Sequence, residues 1–171
     1  LTLTVNGATA TAISLNELDA KTSVDVKVDA KEVTGEFTDL NKLYVTNADK
    51  FAALGNENVT ITDTVAAADA NKIANETTGK VTATVTADTA TALNTVLANA
   101  VATDVLTLTV NGATAAATDL NALDGKTSVD VTVDALAVTG DFADLNKVYV
   151  ANKANFANLG TENVTIEDTT V

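Results

Sequence analysis

Short stretches of strict alternation run through the chain. Val59 and Ile61 alternate with Thr60 and Thr62, and Val81, Ala83 and Val85 with Thr82, Thr84 and Thr86. Leu106, Leu108 and Val110 alternate with Thr107 and Thr109, and Val129, Val131 and Val133 with Asp130, Thr132 and Asp134. A period of two with one apolar face predicts half-buried β-strands whose other face, of Thr and Asp, meets water.

Between these stretches the period changes. Leu93, Val96, Leu97 and Ala100 fall at i, i+3, i+4 and i+7, the stripe of an amphipathic helix. Shorter helical signals are Ala70, Ile73 and Ala74, then Leu120 and Leu123. Phe142 with Leu145, and Phe156 with Leu159, read as single turns. Asn111-Gly112, Gly125, Gly140 and Gly160 punctuate the connections.

The chain also repeats itself. At an offset of 105 residues, Leu1 to Thr64 align with Leu106 to Thr169, and 46 of these 64 positions are identical. LTLTVNGATA, KTSVDV, DLNK and ENVTI recur letter for letter. The reading is therefore a first block, 1–105, and a partial second block, 106–171, continuous with it.

Within a block, strand and helix signals mark units beginning at Val59, Val81, Val105, Val129, Val148 and Val164. Strand, crossover helix and a second strand with the same facing give a right-handed parallel pair. Repetition of that step predicts an α/β solenoid of parallel strands, each followed by a short helix or turn, in coils of about 16–24 residues. The alternative is a series of tandem immunoglobulin-like β-sandwiches, which are near 105 residues long. The Ala-rich helical stripes and the absence of Pro weigh against it. Both chain ends cut a coil open, so the expectation is that the parent polypeptide continues, or that copies stack end to end.

Composition narrows the chemistry. The net charge is -13, and all ten cationic residues are Lys. Such a surface repels nucleic acid and anionic membrane, and no apolar run is long enough to span a bilayer. With no Cys and no His, zinc, iron–sulfur and haem ligation are missing, along with the usual general base and thiol nucleophile. Calcium enters as the one candidate cofactor, through Asp63, Asp88, Asp104, Asp124, Asp134 and Asp168 near turns. No EF-hand loop accompanies them, and N-capping of the helices by Asp, Ser and Thr accounts for most of these positions.

Other candidate features are weak by count or pattern. The sequons at Asn58, Asn75 and Asn163 are about as many as random placement of the Asn, Ser and Thr gives. No nucleophile elbow, phosphate loop or dinucleotide loop is present. The only serines are Ser14, Ser23 and Ser128, and the pair Asp130 and Asp134, repeated as Asp25 and Asp29, reads as a solvated strand face. The sequence thus points to no catalytic, cofactor-binding or metal residues, and to a protein that is not an enzyme. Thr-x-Thr ranks on stacked strands would offer an ice- or glycan-binding face, interrupted by Asp25, Lys27, Asp29, Asp130 and Asp134 and by Tyr44 and Tyr149 on the same face.

GKVTATVTADTATALNTVLANA and ENVTITDTVAAADANKIAN resemble the Thr-, Ala-, Asp- and Val-rich tandem repeats of very large secreted bacterial surface proteins. That resemblance implies an extracellular, cell-surface location in an adhesin stalk, surface layer or filament. Its partners would be other copies, adjoining repeats or surface glycans. It also implies calcium dependence, although the glycine- and aspartate-rich nonapeptide of the repeats-in-toxin type is missing.

Overall fold

A computed structural model describes residues 3–168. The chain divides into two compact units, Leu1–Thr84 and Val85–Val171.

The first unit contains β1 (Leu3–Thr11), α1 (Ala12–Asp19), β2 (Val26–Gly35) and α2 (Phe37–Asn41). After α2 the backbone widens into one π-helical turn, Lys42–Thr46, and tightens into a 3-10 turn, Ala48–Lys50. Then follow β3 (Phe51–Ala52), β4 (Asn58–Val65), α3 (Ala67–Ala74) and β5 (Val81–Val85). The sheet order is β1-β2-β4-β5, with β3 also beside β2.

The second unit carries α4 (Ala90–Val96), β6 (Val105–Thr107), β7 (Thr109–Val110), β8 (Ala115–Ala116) and α5 (Ala117–Asp124). After these come β9 (Val131–Val133), β10 (Ala137–Gly140), α6 (Phe142–Asn146), β11 (Phe156–Ala157) and β12 (Asn163–Ile166). A π-helical turn, Lys147–Ala151, and a 3-10 turn, Lys153–Asn155, again lie between α6 and β11. Its sheets run β12-β10-β8 and β11-β9-β7.

Every pairing with a described register is parallel. Leu3 lies beside Val26, Val26 beside Phe51 and Glu32 beside Asn58, so each strand pairs with a near neighbour in sequence. Parallel neighbours joined through short helices make a mixed α/β fold. The immunoglobulin-like alternative, built from antiparallel hairpins, describes neither unit.

Three expectations need correction. Val148 does not open a strand, because it is buried within the Lys147–Ala151 π turn. The step from Val131 to its partner Phe156 is 25 residues and that from Glu32 to Asn58 is 26, longer than the expected 16–24, while the strand expected from Val129 is present as β9. The α4 helix stops at Val96, with Leu97 as its C-cap at ψ 48° and Ala100 beyond it, although both are buried. Phe156 lies in β11, not in a helical turn.

Sequence explains the helices locally. Thr11, Thr89 and Asp141 accept from the backbone N–H three residues on, at 3.3, 3.3 and 2.8 Å, satisfying donors a helix start leaves open. Each helix then carries an apolar residue followed by asparagine: Leu15-Asn16, Leu40-Asn41, Ala70-Asn71, Leu93-Asn94, Leu120-Asn121 and Leu145-Asn146. The apolar member is buried in all six. Three of the asparagines reach the following helix. The Nδ2 of Asn16 donates to the carbonyl of Asp39 at 3.0 Å, that of Asn121 to the carbonyl of Asp144 at 3.1 Å, and that of Asn94 to Asp119 Oδ1 at 3.2 Å. Strand valines and helix leucines thus form a thin core, and a polar ladder fixes the spacing of the helices outside it.

Candidate functional site

The six aspartates considered for calcium are each occupied by a donor of the chain itself. Asp63 accepts from the backbone N–H of Phe37 and Asp168 from that of Phe142, both at 2.9 Å. Each therefore caps a helix start that lies 26 residues earlier. Asp88 accepts from Thr89 N–H at 2.7 Å and Asp104 from Val101 N–H at 2.9 Å. Asp124 accepts from Asn152 Nδ2 at 3.1 Å and Asp134 from Asn158 Nδ2 at 2.9 Å. Among the described residues no three carboxylates converge, whereas calcium takes six to eight oxygens.

The threonine ranks are short. Thr11, Thr34 and Thr60 stand side by side, but Thr4 faces Lys27 and then Ala52. In the second unit Thr109 and Thr132 are followed by Ala157. Thr60 turns its hydroxyl to Glu32 at 2.7 Å, and Lys27 pairs with Asp29 at 2.7 Å. Tyr44 is not on this face: it is buried in the π turn after α2. Tyr149 holds the matching place in the second unit, half-buried. The sequons Asn58 and Asn163 open β4 and β12, and Asn75 caps the end of α3.

The 105-residue repeat in the sequence reappears in the surface relief. A cleft of about 540 Å³ beside Asp19, Thr22, Ser23, Asp25 and Lys50 recurs as one of about 190 Å³ beside Asp124, Thr127, Ser128, Asp130 and Asn155. A second cleft, about 460 Å³ along Val28–Lys31, recurs at about 400 Å³ along Val133–Leu136. Both kinds are open; the first is mainly polar and the second about equally polar and apolar, and neither brings a nucleophile against a base.

The most specialised cluster is not legible as a site in the sequence. Tyr44 donates its hydroxyl to the carboxylate of Glu57, which is itself buried. The same carboxylate takes the backbone N–H groups of Gly55, at 3.0 and 3.1 Å, and Asn56, at 3.1 Å. Gly55 sits at φ +102°, a conformation that favours glycine and turns its N–H back toward the side chain. Tyr149, Glu162, Gly160 and Thr161 repeat the arrangement, with Gly160 at φ +109°.

Electrostatics follow from this geometry. Burial, with the neighbouring carboxylate as acceptor and negative charge, pushes both phenols above their ordinary range. For Glu162, burial pulls upward, but the hydrogen bonds from Tyr149 and from three backbone amides win and leave its pKa below the ordinary value. A phenol that holds its proton this firmly is the opposite of an activated nucleophile or base. The cluster is a fastening, joining the π turn to the loop before the next strand.

No family model, curated protein or solved structure matches the chain.

Proposed function

We propose that this chain is a structural repeat segment of an extracellular bacterial surface protein. In this reading it is a solenoid of parallel coils whose work is to span distance and to associate with copies of itself or with adjoining repeats, in a surface layer, adhesin stalk or filament. It is not an enzyme, binds no nucleic acid and does not insert into a membrane.

One observation carries the reading. The most specialised polar devices come in duplicate, one in each sequence block, and each fastens one segment of backbone to the next. Tyr44 with Glu57 and Asp63 with Phe37 return as Tyr149 with Glu162 and Asp168 with Phe142. A catalytic constellation needs its groups gathered around one substrate. A repeated fastening makes each added unit stabilise its neighbour, as in quasi-one-dimensional proteins. The charge of -13 without Arg supports the exclusion of nucleic acid, and no helix among the described residues is long and apolar enough to cross a membrane.

Small-angle scattering and sedimentation across a concentration series test the proposal. An elongated particle that associates end to end on concentration, visible as thin fibres by microscopy, is expected. A compact particle that stays monomeric at every concentration would refute it.

A further inference from the structure

Asn111 and Gly112 form the corner between β7 and β8, flanked by other segments of the same unit. Asn111 N–H donates to the Asp88 carbonyl at 3.0 Å on one side, and the Gly112 carbonyl accepts from Leu136 N–H at 3.1 Å on the other. Both residues are exposed, and among the described residues no group bonds the Asn111 side chain or the Gly112 N–H. Gly112 sits at φ +107°, and a Cβ there would meet Thr89 Cγ2 at 3.3 Å. The corner therefore requires glycine, whose nitrogen no side chain shields.

Those free groups have a chemistry of their own. An asparagine side-chain amide and the next backbone nitrogen are spaced to close a cyclic imide. Bulk on the second residue and hydrogen bonds to either group oppose the closure, and this corner has neither. The same dipeptide at Asn6-Gly7 is held differently, inside β1 and in register with Asp29 and Ala30 of β2.

We propose that Asn111 is a site of self-modification, at which the chain deamidates through a cyclic imide. The Gly112 nitrogen gives up its proton and bonds to Asn111 Cγ; the Cγ–Nδ2 bond breaks, and Nδ2 leaves as ammonia with that proton. Water then opens the ring. Attack at Cγ restores the backbone with aspartate at 111, whereas attack at the main-chain carbonyl carbon leaves isoaspartate, whose chain runs through Cβ and Cγ. One amide and one water become one carboxylic acid and one ammonia, and nothing is oxidised or reduced. Isoaspartate has an extra main-chain atom between the Asn111 N–H and the Gly112 carbonyl, the two groups tied in opposite directions to Asp88 and Leu136. Both ties cannot be kept, so the corner is a slow timer that loosens the fold with age. The reaction needs only water, and its failure would leave the structural-repeat reading untouched.

The test is peptide mapping of the full chain aged in mildly alkaline buffer, beside a free peptide, Leu108–Ala115. A mass gain of about 1 Da with isoaspartate at Asn111 is expected. Its rate should lie within about threefold of the peptide's, because the corner reacts without unfolding, and should exceed the rate at Asn6. Conversion more than about tenfold slower than in the peptide, or no faster than at Asn6, would overturn the proposal. Hydrogen exchange at the Leu136 amide then reads the consequence. Protection should fall at least about tenfold in the isoaspartate fraction and persist in a chain carrying Asn111→Asp, which has the same charge on an unextended backbone. Equal protection in the two would overturn the timer.

Discussion

Tyr44 donates its phenolic hydrogen to Glu57 inside a site closed to water, and Tyr149 makes the same bond to Glu162 in a site only half closed. The bond is chemically the same, but the cost of losing it is not. Tyr44→Phe strips one donor from a buried carboxylate, and an unsatisfied buried acceptor costs about 1–3 kcal/mol. At Tyr149 water replaces the missing donor, so Tyr149→Phe is expected to cost less than about 1 kcal/mol. Urea unfolding of the two variants checks this, and equal losses would show that burial does not set the strength of the fastening.

The same bond fixes a pH response. Folding raises the pKa of Tyr44 above the ordinary phenol value of 10.0, so its stabilisation is complete below pH 10 and is lost as the pH climbs past it. Glu162 has the opposite sign. Its pKa is lowered on folding, so its smaller contribution is present above the ordinary value of 4.5 and is lost as the pH falls through the lowered value. Thermal melts from pH 3 to 12 should show a steep alkaline decline that Tyr44→Phe flattens. An alkaline limb unchanged by that substitution would place the titrating group elsewhere.

The strands and most of the helices are legible in the sequence because burial leaves a periodic trace: Val26, Val28 and Ala30 alternate, and Leu120 with Leu123 marks one helix face. Parallel pairing follows from the helices between them. What escapes is polar and non-local. Tyr44 and Glu57 are separated by the rest of a π turn, a 3-10 turn, β3 and a glycine at positive φ, and no period announces such a bond. Val148 resembles a strand start because KVYV alternates, but its neighbours are helical and its partner is the core. The aspartates at strand ends suggest local caps or calcium ligands, whereas Asp63 caps a helix one strand back. The sequence signal that does survive is the repeat itself, in which Tyr, Gly, Glu and Asp return at a shift of 105.

The asparagine ladder gives a third expectation. Asn16 is 5% exposed and bonded to the Asp39 carbonyl at 3.0 Å, so Asn16→Ala removes the bond and leaves that carbonyl facing a gap. A loss of about 1–2 kcal/mol follows. Asn121→Ala, which frees the Asp144 carbonyl, should lose a similar amount. Asn16→Asp is predicted to be worse than Asn16→Ala, since it buries a charge with no donor to offer the carbonyl. Chemical denaturation orders the three; an aspartate variant as stable as the parent would mean the ladder is solvated.

Asp63 separates capping from metal binding. As an acceptor for Phe37 N–H it is replaceable by asparagine, so Asp63→Asn should be near neutral and Asp63→Ala should cost about 0.5–2 kcal/mol, the usual value of a lost cap. A calcium ligand behaves differently, because asparagine gives up the charge that holds the ion. Melting temperatures of the parent and Asp63→Asn, with calcium and with chelator, are expected to coincide. A calcium-dependent rise in the parent that the asparagine variant lacks would assign Asp63 to a metal.

Glycine is required at two positions for unrelated reasons, and alanine distinguishes them. Gly160 sits at φ +109° with open space around its missing Cβ, so Gly160→Ala costs only backbone strain, about 1 kcal/mol. Gly79 has no positive φ, but its Cβ would lie 2.2, 2.5 and 2.8 Å from the carbonyl oxygen, carbonyl carbon and following amide nitrogen at Glu57 and Asn58. Those atoms are backbone, held on one side by Thr77 and on the other by the strand β4, so none can step aside as a side-chain tip could. Gly79→Ala must therefore part the Thr77–Lys80 segment from the Glu57 loop, at about 3 kcal/mol or more, and free the Val59 N–H from the Lys80 carbonyl as it does so. Amide hydrogen exchange should then rise at Val59 in Gly79→Ala and stay unchanged there in Gly160→Ala. Protection retained at Val59 would mean that the segment slides rather than lifts, and that its grip on the strand does not depend on the glycine.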